Sequence, residues 1–154
     1  MGAKMITDSN KLALVATLVL TTACSAPALA KDLDPSTLYE VTTRGSTEKL
    51  KMGEQGRFVL QISVKEGAHV SDEAPLRLEL KGQNIRLEKA KLTLADSVAK
   101  KAPGQPYASP RFEVPITAQA VGKGGVDGKL TFFICTEQIC SRQQKTINVP
   151  VEVL

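Results

Sequence analysis

The stretch Leu130-Thr-Phe-Phe-Ile-Cys135-Thr-Glu-Gln-Ile-Cys140-Ser-Arg-Gln-Gln-Lys-Thr-Ile147 reads as one strand, a tight loop and a second strand. On the first arm Leu130, Phe132 and Ile134 share one parity, while Thr131, Phe133 and Cys135 share the other. On the second arm the apolar positions from Ile147 onward are odd, and Cys140, Arg142, Gln144 and Thr146 are even. Successive side chains of a strand leave opposite faces, so burying the apolar set puts both cysteines on the polar face. With Thr136 to Ile139 as a four-residue loop, Cys135 and Cys140 oppose each other across the ladder at a separation compatible with a disulfide near the surface.

The same period of two recurs outward from this hairpin. Phe58, Leu60, Ile62 and Val64 alternate with Val59, Gln61 and Ser63, and Leu76, Leu78 and Leu80 with Arg77 and Glu79. Phe112, Val114, Ile116 and Ala118 form another set, in which Pro115 cannot donate to a ladder and predicts an edge strand or a bulge. The alternation of Ile85 to Leu94 changes phase between Leu87 and Ala90, which predicts a bulge or bend. Ile147, Val149, Val151 and Val153 close the chain as a final strand. Turn-forming residues separate these runs at Gly53 to Gly56, Glu66-Gly67, Lys81 to Asn84 and Gly122 to Gly128. Helix is expected only as a turn or two over Asp96 to Ala102, capped by Asp96 and stopped by Pro103. Seven or eight short strands spaced by turns predict an all-β fold, an immunoglobulin-like antiparallel β-sandwich. The antibody pattern is missing, because the chain has no Trp and its two late cysteines are too close in sequence to bridge two sheets.

The N-terminus carries Lys4 and Lys11 and then the uncharged run Leu12 to Leu20, a basic region followed by an apolar one. The pattern predicts a signal peptide over residues 1–30, cut after Ala28-Leu-Ala30, with a single domain over 31–154. The apolar run is too short to span a bilayer, so no membrane span remains after cleavage. A competing site, Leu20-Thr-Thr-Ala-Cys24, resembles a bacterial lipobox with Thr21 where an aliphatic residue is usual, and would anchor the protein by lipid at Cys24. Either cut leaves Cys135 and Cys140 as the remaining free pair of the three cysteines, and in an oxidising compartment their disulfide is the default state. The chain holds 20 basic and 16 acidic residues; losing Lys4, Lys11 and Asp8 takes these to 18 and 15, a net charge near +3. That mild excess argues for no nucleic-acid partner and no membrane surface.

The cysteine pair has two readings. A disulfide closing so small a ring gains little from loop entropy, whereas a solvent-facing one is well placed for exchange with another protein's thiolate. Against that, many exported domains carry a short-range disulfide that only fixes a hairpin. Zinc is a weaker alternative, since the cysteines and the single histidine, His69, leave a fourth ligand unidentified. His69 lies in the loop-like run Glu66 to Asp72 and is given no catalytic role, and Ser109 with Asp96 lacks the motif of a hydrolase.

From about Phe58 onward, Gly67-Ala-His69 with Pro75-Leu76, the run Arg111-Phe-Glu-Val-Pro-Ile116, and Cys135 to Cys140 followed by Lys145-Thr-Ile-Asn-Val-Pro150 resemble the N-terminal periplasmic domain of the DsbD thiol:disulfide interchange family. The resemblance implies an immunoglobulin-like domain, without cofactor, that passes electrons through Cys135 and Cys140 from a thioredoxin-like or membrane-embedded donor to oxidised periplasmic proteins. It implies that Cys140 forms the mixed disulfide and Cys135 resolves it, that Arg142 favours the Cys140 thiolate while Glu137 opposes it, and that Tyr107 is a candidate shield over the bond. The four-residue loop between the cysteines is one residue shorter than in the best-known members of that family.

Overall fold

The alternating runs do become strands, because each buries its apolar parity between two layers. The computed structural model describes residues 33–154. A 3-10 turn, Pro35–Leu38, is capped by the Asp34 carboxylate, which accepts from the Ser36 amide at 2.9 Å. Ten strands follow: β1 Tyr39–Thr42, β2 Lys49–Leu50, β3 Gln55–Val64, β4 His69–Val70, β5 Arg77–Gln83, β6 Ile85–Leu87, β7 Lys91–Thr93, β8 Arg111–Ala118, β9 Gly122–Cys135 and β10 Cys140–Val153. One sheet has the order β1-β3-β8-β6; the other runs β2-β10-β9-β5-β7, with β4 also paired to β9. The fold is therefore a β-sandwich of immunoglobulin-like type, with ten strands rather than seven or eight. The extra ones, β2 and β4, are two residues long and too short to show any period.

The core lies between the sheets. Phe58, Leu60 and Ile62 of β3 and Phe112, Val114 and Ile116 of β8 face Leu78 of β5 and Leu130, Phe132 and Ile134 of β9, all of them buried. Each such side chain contributes about 1.5–3 kcal/mol on leaving water. At one border Tyr39 of β1 packs edge-on against Phe132, centroids 4.9 Å apart, and its hydroxyl donates to Gln143 Oε1 of β10 at 3.0 Å. That contact ties the first sheet to the second.

Four local expectations are revised. The phase change after Leu87 is a change of sheet: β6 pairs with β8 in one layer and β7 with β5 in the other. Pro115 lies inside the sheet order, but β6 pairs only with Ile116, Thr117 and Ala118, and the Glu88 amide that donates to the Pro115 carbonyl ends that contact. A missing donor at Pro115 therefore costs no ladder bond. The expected helix after Asp96 is a 3-10 turn before it, Leu94–Asp96, whose last residue accepts from the Thr93 amide at 2.9 Å. Ser97 then turns to β8, its hydroxyl accepting from the Arg111 amide at 3.0 Å. Lastly, one pair is parallel: β2 runs alongside the end of β10, Lys49 opposite Glu152 and Leu50 opposite Val153.

Candidate functional site

β9 and β10 stay in continuous antiparallel register from Gly122 opposite Val153 to Cys135 opposite Cys140. The connecting turn is set by Thr136, whose amide donates to the Ile139 carbonyl at 2.8 Å and whose hydroxyl accepts from the Gln138 and Ile139 amides, each at 3.2 Å. This places the two cysteines directly across the last rung, Cα atoms 4.1 Å apart, and they are joined as a disulfide.

The expected surface position holds for one of them only. Cys140 is exposed, but Cys135 is 3 % exposed. The neighbours of the two strands explain the difference. Among the described residues β10 has a strand on its far side only at Glu152 and Val153, so its border at Cys140 is open there. β9 is flanked at Cys135 by β10 on one side and β4 on the other, with His69 opposite Cys135 and Val70 opposite Ile134. His69, Cys135 and Cys140 thus form one row across three strands, side chains on a common face.

His69, which sequence reasoning left without a role, is the neighbour that encloses Cys135. Its ring lies flat on that of Tyr107, centroids 3.7 Å and planes 6° apart. The Lys101 ammonium sits 6.0 Å from the centroid of the Tyr107 ring. Tyr107 therefore stands next to the disulfide row through His69, at 37 % exposure. A groove of about 1060 Å³ opens beside the row, lined among others by Val64, His69, Lys100, Tyr107, Thr136 and Glu137. The only sequence signal for His69 was its place in Gly67-Ala-His69; a two-residue strand offers no periodicity that could align it with Cys135.

The remaining candidates separate from this row. Arg142 stands opposite Phe133, one rung pair inward from Cys140 on the same face, and Glu137 lies in the turn. The Asp96 carboxylate is engaged by Lys89 Nζ at 2.5 Å and by the Thr93 amide, and these bonds hold its pKa below the usual carboxylate range, the Lys89 bond contributing most. Ser109 lines the groove, while Asp96 is not among its lining residues. Among the described residues, no group of three or more His, Cys, Asp or Glu side chains is placed to hold a metal ion. No helix among them is long and apolar enough to cross a membrane. Cys24 and the cleavage motifs lie outside the described residues.

No model of a known protein family matches the chain, and no curated protein matches it. Among solved structures it is similar to AggA, the major subunit of aggregative adherence fimbriae type I from Escherichia coli, at 12 % identity and a TM-score of 0.42, over 75 % of this chain and 94 % of that one. It is also similar to a lipoprotein from Bacteroides thetaiotaomicron at 18 % identity and a TM-score of 0.41, over 76 % of this chain and 82 % of that one. Likenesses this distant say nothing about what the chain binds or does.

Proposed function

We propose that this is an exported, periplasmic thiol-disulfide exchange domain that passes an electron pair through Cys135 and Cys140. The observation that carries the reading is the asymmetry of the pair: an exposed Cys140 at an open sheet border, bonded to a Cys135 enclosed by β4 and β10. Exchange needs one sulfur within reach of an incoming thiolate and a second held in place to leave and return. In the reducing direction a donor thiolate attacks Cys140 Sγ, the bond to Cys135 breaks, and Cys135 leaves as a thiolate. A second donor thiol then attacks its own sulfur in the mixed disulfide and frees Cys140, so the domain ends as a dithiol and the donor as a disulfide. Cys140 repeats the attack on an oxidised periplasmic protein, and Cys135 resolves it. A thioredoxin-like or membrane-embedded protein suits the role of donor, in line with the DsbD resemblance.

A second reading is a cell-envelope binding or assembly module in which the bond only stiffens the hairpin. The hairpin's own ladder speaks against that need, since β9 and β10 are held along fourteen residues each without it.

The reduction potential of the disulfide in the purified domain separates the two. A value above about −300 mV is expected for a carrier, and one well below it would mark the bond as structural and end the exchange reading. For export, N-terminal sequencing of the protein from the cell envelope should find Lys31; a lipid-modified Cys24 would replace the soluble form by an anchored one.

A further inference from the structure

Strand parity puts Arg77 of β5, Lys129 and Phe133 of β9 and Arg142 of β10 on the same outer face as Cys140. Register gathers them: Arg142 is opposite Phe133, Arg77 opposite Thr131 and Glu79 opposite Lys129. They line one groove of about 370 Å³. Phe133 is half-buried within it, and Arg77, Lys129 and Arg142 are exposed around it. Three cations face a single carboxylate there, Glu79. The ion pairs formed among the described residues, Lys49 to Glu152, Lys89 to Asp96 and Arg111 to Glu113, use none of the three. Arg142 and Cys140 are two residues apart on one strand, which is roughly 7 Å.

Cations gathered around an aromatic ring in excess of the one carboxylate beside them add nothing to the stability of the isolated domain. They do supply a cationic rim and an apolar centre, the composition of a small docking site. We infer that this groove receives a folded protein partner whose surface beside its own cysteine is acidic around an apolar side chain, and that it orients that cysteine onto Cys140. The inference rests on the exchange reading. A bilayer is the poorer match, because the site is concave and confined, and the whole chain carries a net charge of only +4.

The test uses the isotope-labelled mature protein and two synthetic peptides, one with glutamates around a leucine and one with lysines in their place. Each is made with and without a single cysteine. The cysteine-free acidic peptide should shift the amide resonances of Thr131 to Phe133 and of Arg142, and the lysine peptide should not. Per thiolate, the acidic cysteine peptide should open the disulfide about tenfold faster than the lysine one at low salt. That preference should vanish near 0.5 M salt and in the Arg77→Gln/Arg142→Gln variant, while Lys51→Gln keeps it. Localised shifts without any exchange would uphold the groove and end the carrier reading. Equal rates with no shifts would leave the carrier and overturn the groove. Binding of phosphatidylglycerol vesicles through the same residues, with no peptide response, would overturn it as well.

Discussion

The ring of His69 lies flat on that of Tyr107, centroids 3.7 Å apart, and His69 is also the cross-strand neighbour of Cys135. An aromatic side chain from the irregular segment between β7 and β8 is thereby held one residue away from the disulfide. Replacing Tyr107 with Ala should expose Cys135 and speed reduction of the bond by dithiothreitol severalfold. The cost in stability should stay near 0.5–1.5 kcal/mol, the worth of one stacked pair. Unchanged reduction kinetics would show that Tyr107 does not guard the bond.

The unequal burial of the two sulfurs predicts unequal trapping. Cys135→Ser leaves Cys140 exposed with no resolving partner, so mixed disulfides with an oxidised thioredoxin-like protein should accumulate on a non-reducing gel. Cys140→Ser leaves only the enclosed thiol and should trap far less. Equal yields from the two variants would remove the assigned roles, and none from either would leave a hairpin staple.

Opening the bond should not open the fold. A ring of about six residues corresponds to roughly 2 kcal/mol of loop entropy, the low end for a disulfide. Urea denaturation of the reduced protein should therefore show a cooperative transition with an unchanged slope and a midpoint lowered by no more than that free energy divided by the slope. Loss of the transition on reduction would point to a structural staple.

At Gly82 a Cβ would overlap the carbonyl oxygen of Ile85, where the chain leaves β5 and crosses to the other sheet through Asn84 in the left-handed region, φ 56°. The obstacle is backbone, which cannot swing aside as a side chain can. Gly82→Ala should cost about 1–3 kcal/mol in urea unfolding. A neutral result would mean that the crossover can shift as a unit.

Asp96 predicts a limb in the pH dependence of stability. Its pKa is lowered in the fold, first by the hydrogen bond from Lys89 and then by the Thr93 amide. The unfolded carboxyl titrates near pH 4, roughly the ordinary Asp value. A lowered folded value means that the contribution is complete above that pH and is lost as pH falls through the folded pKa. The site is exposed, so the effect should be small and weaken with salt. Urea midpoints between pH 5 and 2 should fall less steeply for Asp96→Asn than for the parent; parallel curves would show that the carboxylate carries no such linkage.

Period-two alternation was enough to place Phe58, Phe112, Phe132 and Ile147 on the buried faces, and to set Cys135 opposite Cys140. Both follow from the pleat and from a short loop, which are properties of neighbouring residues. Alternation could not tell that Val59, on the polar parity of β3, is buried too: Ser46 closes over it, its hydroxyl bonded to both the Val59 amide and carbonyl, and no pattern in either segment records the other. The same limit governs the site. The sequence by itself determined that both cysteines share the outer face. The tertiary structure alone decided that they differ, because burial there depends on which strand lies alongside: β4 beside Cys135, and, among the described residues, no strand beside Cys140 at the border of β10.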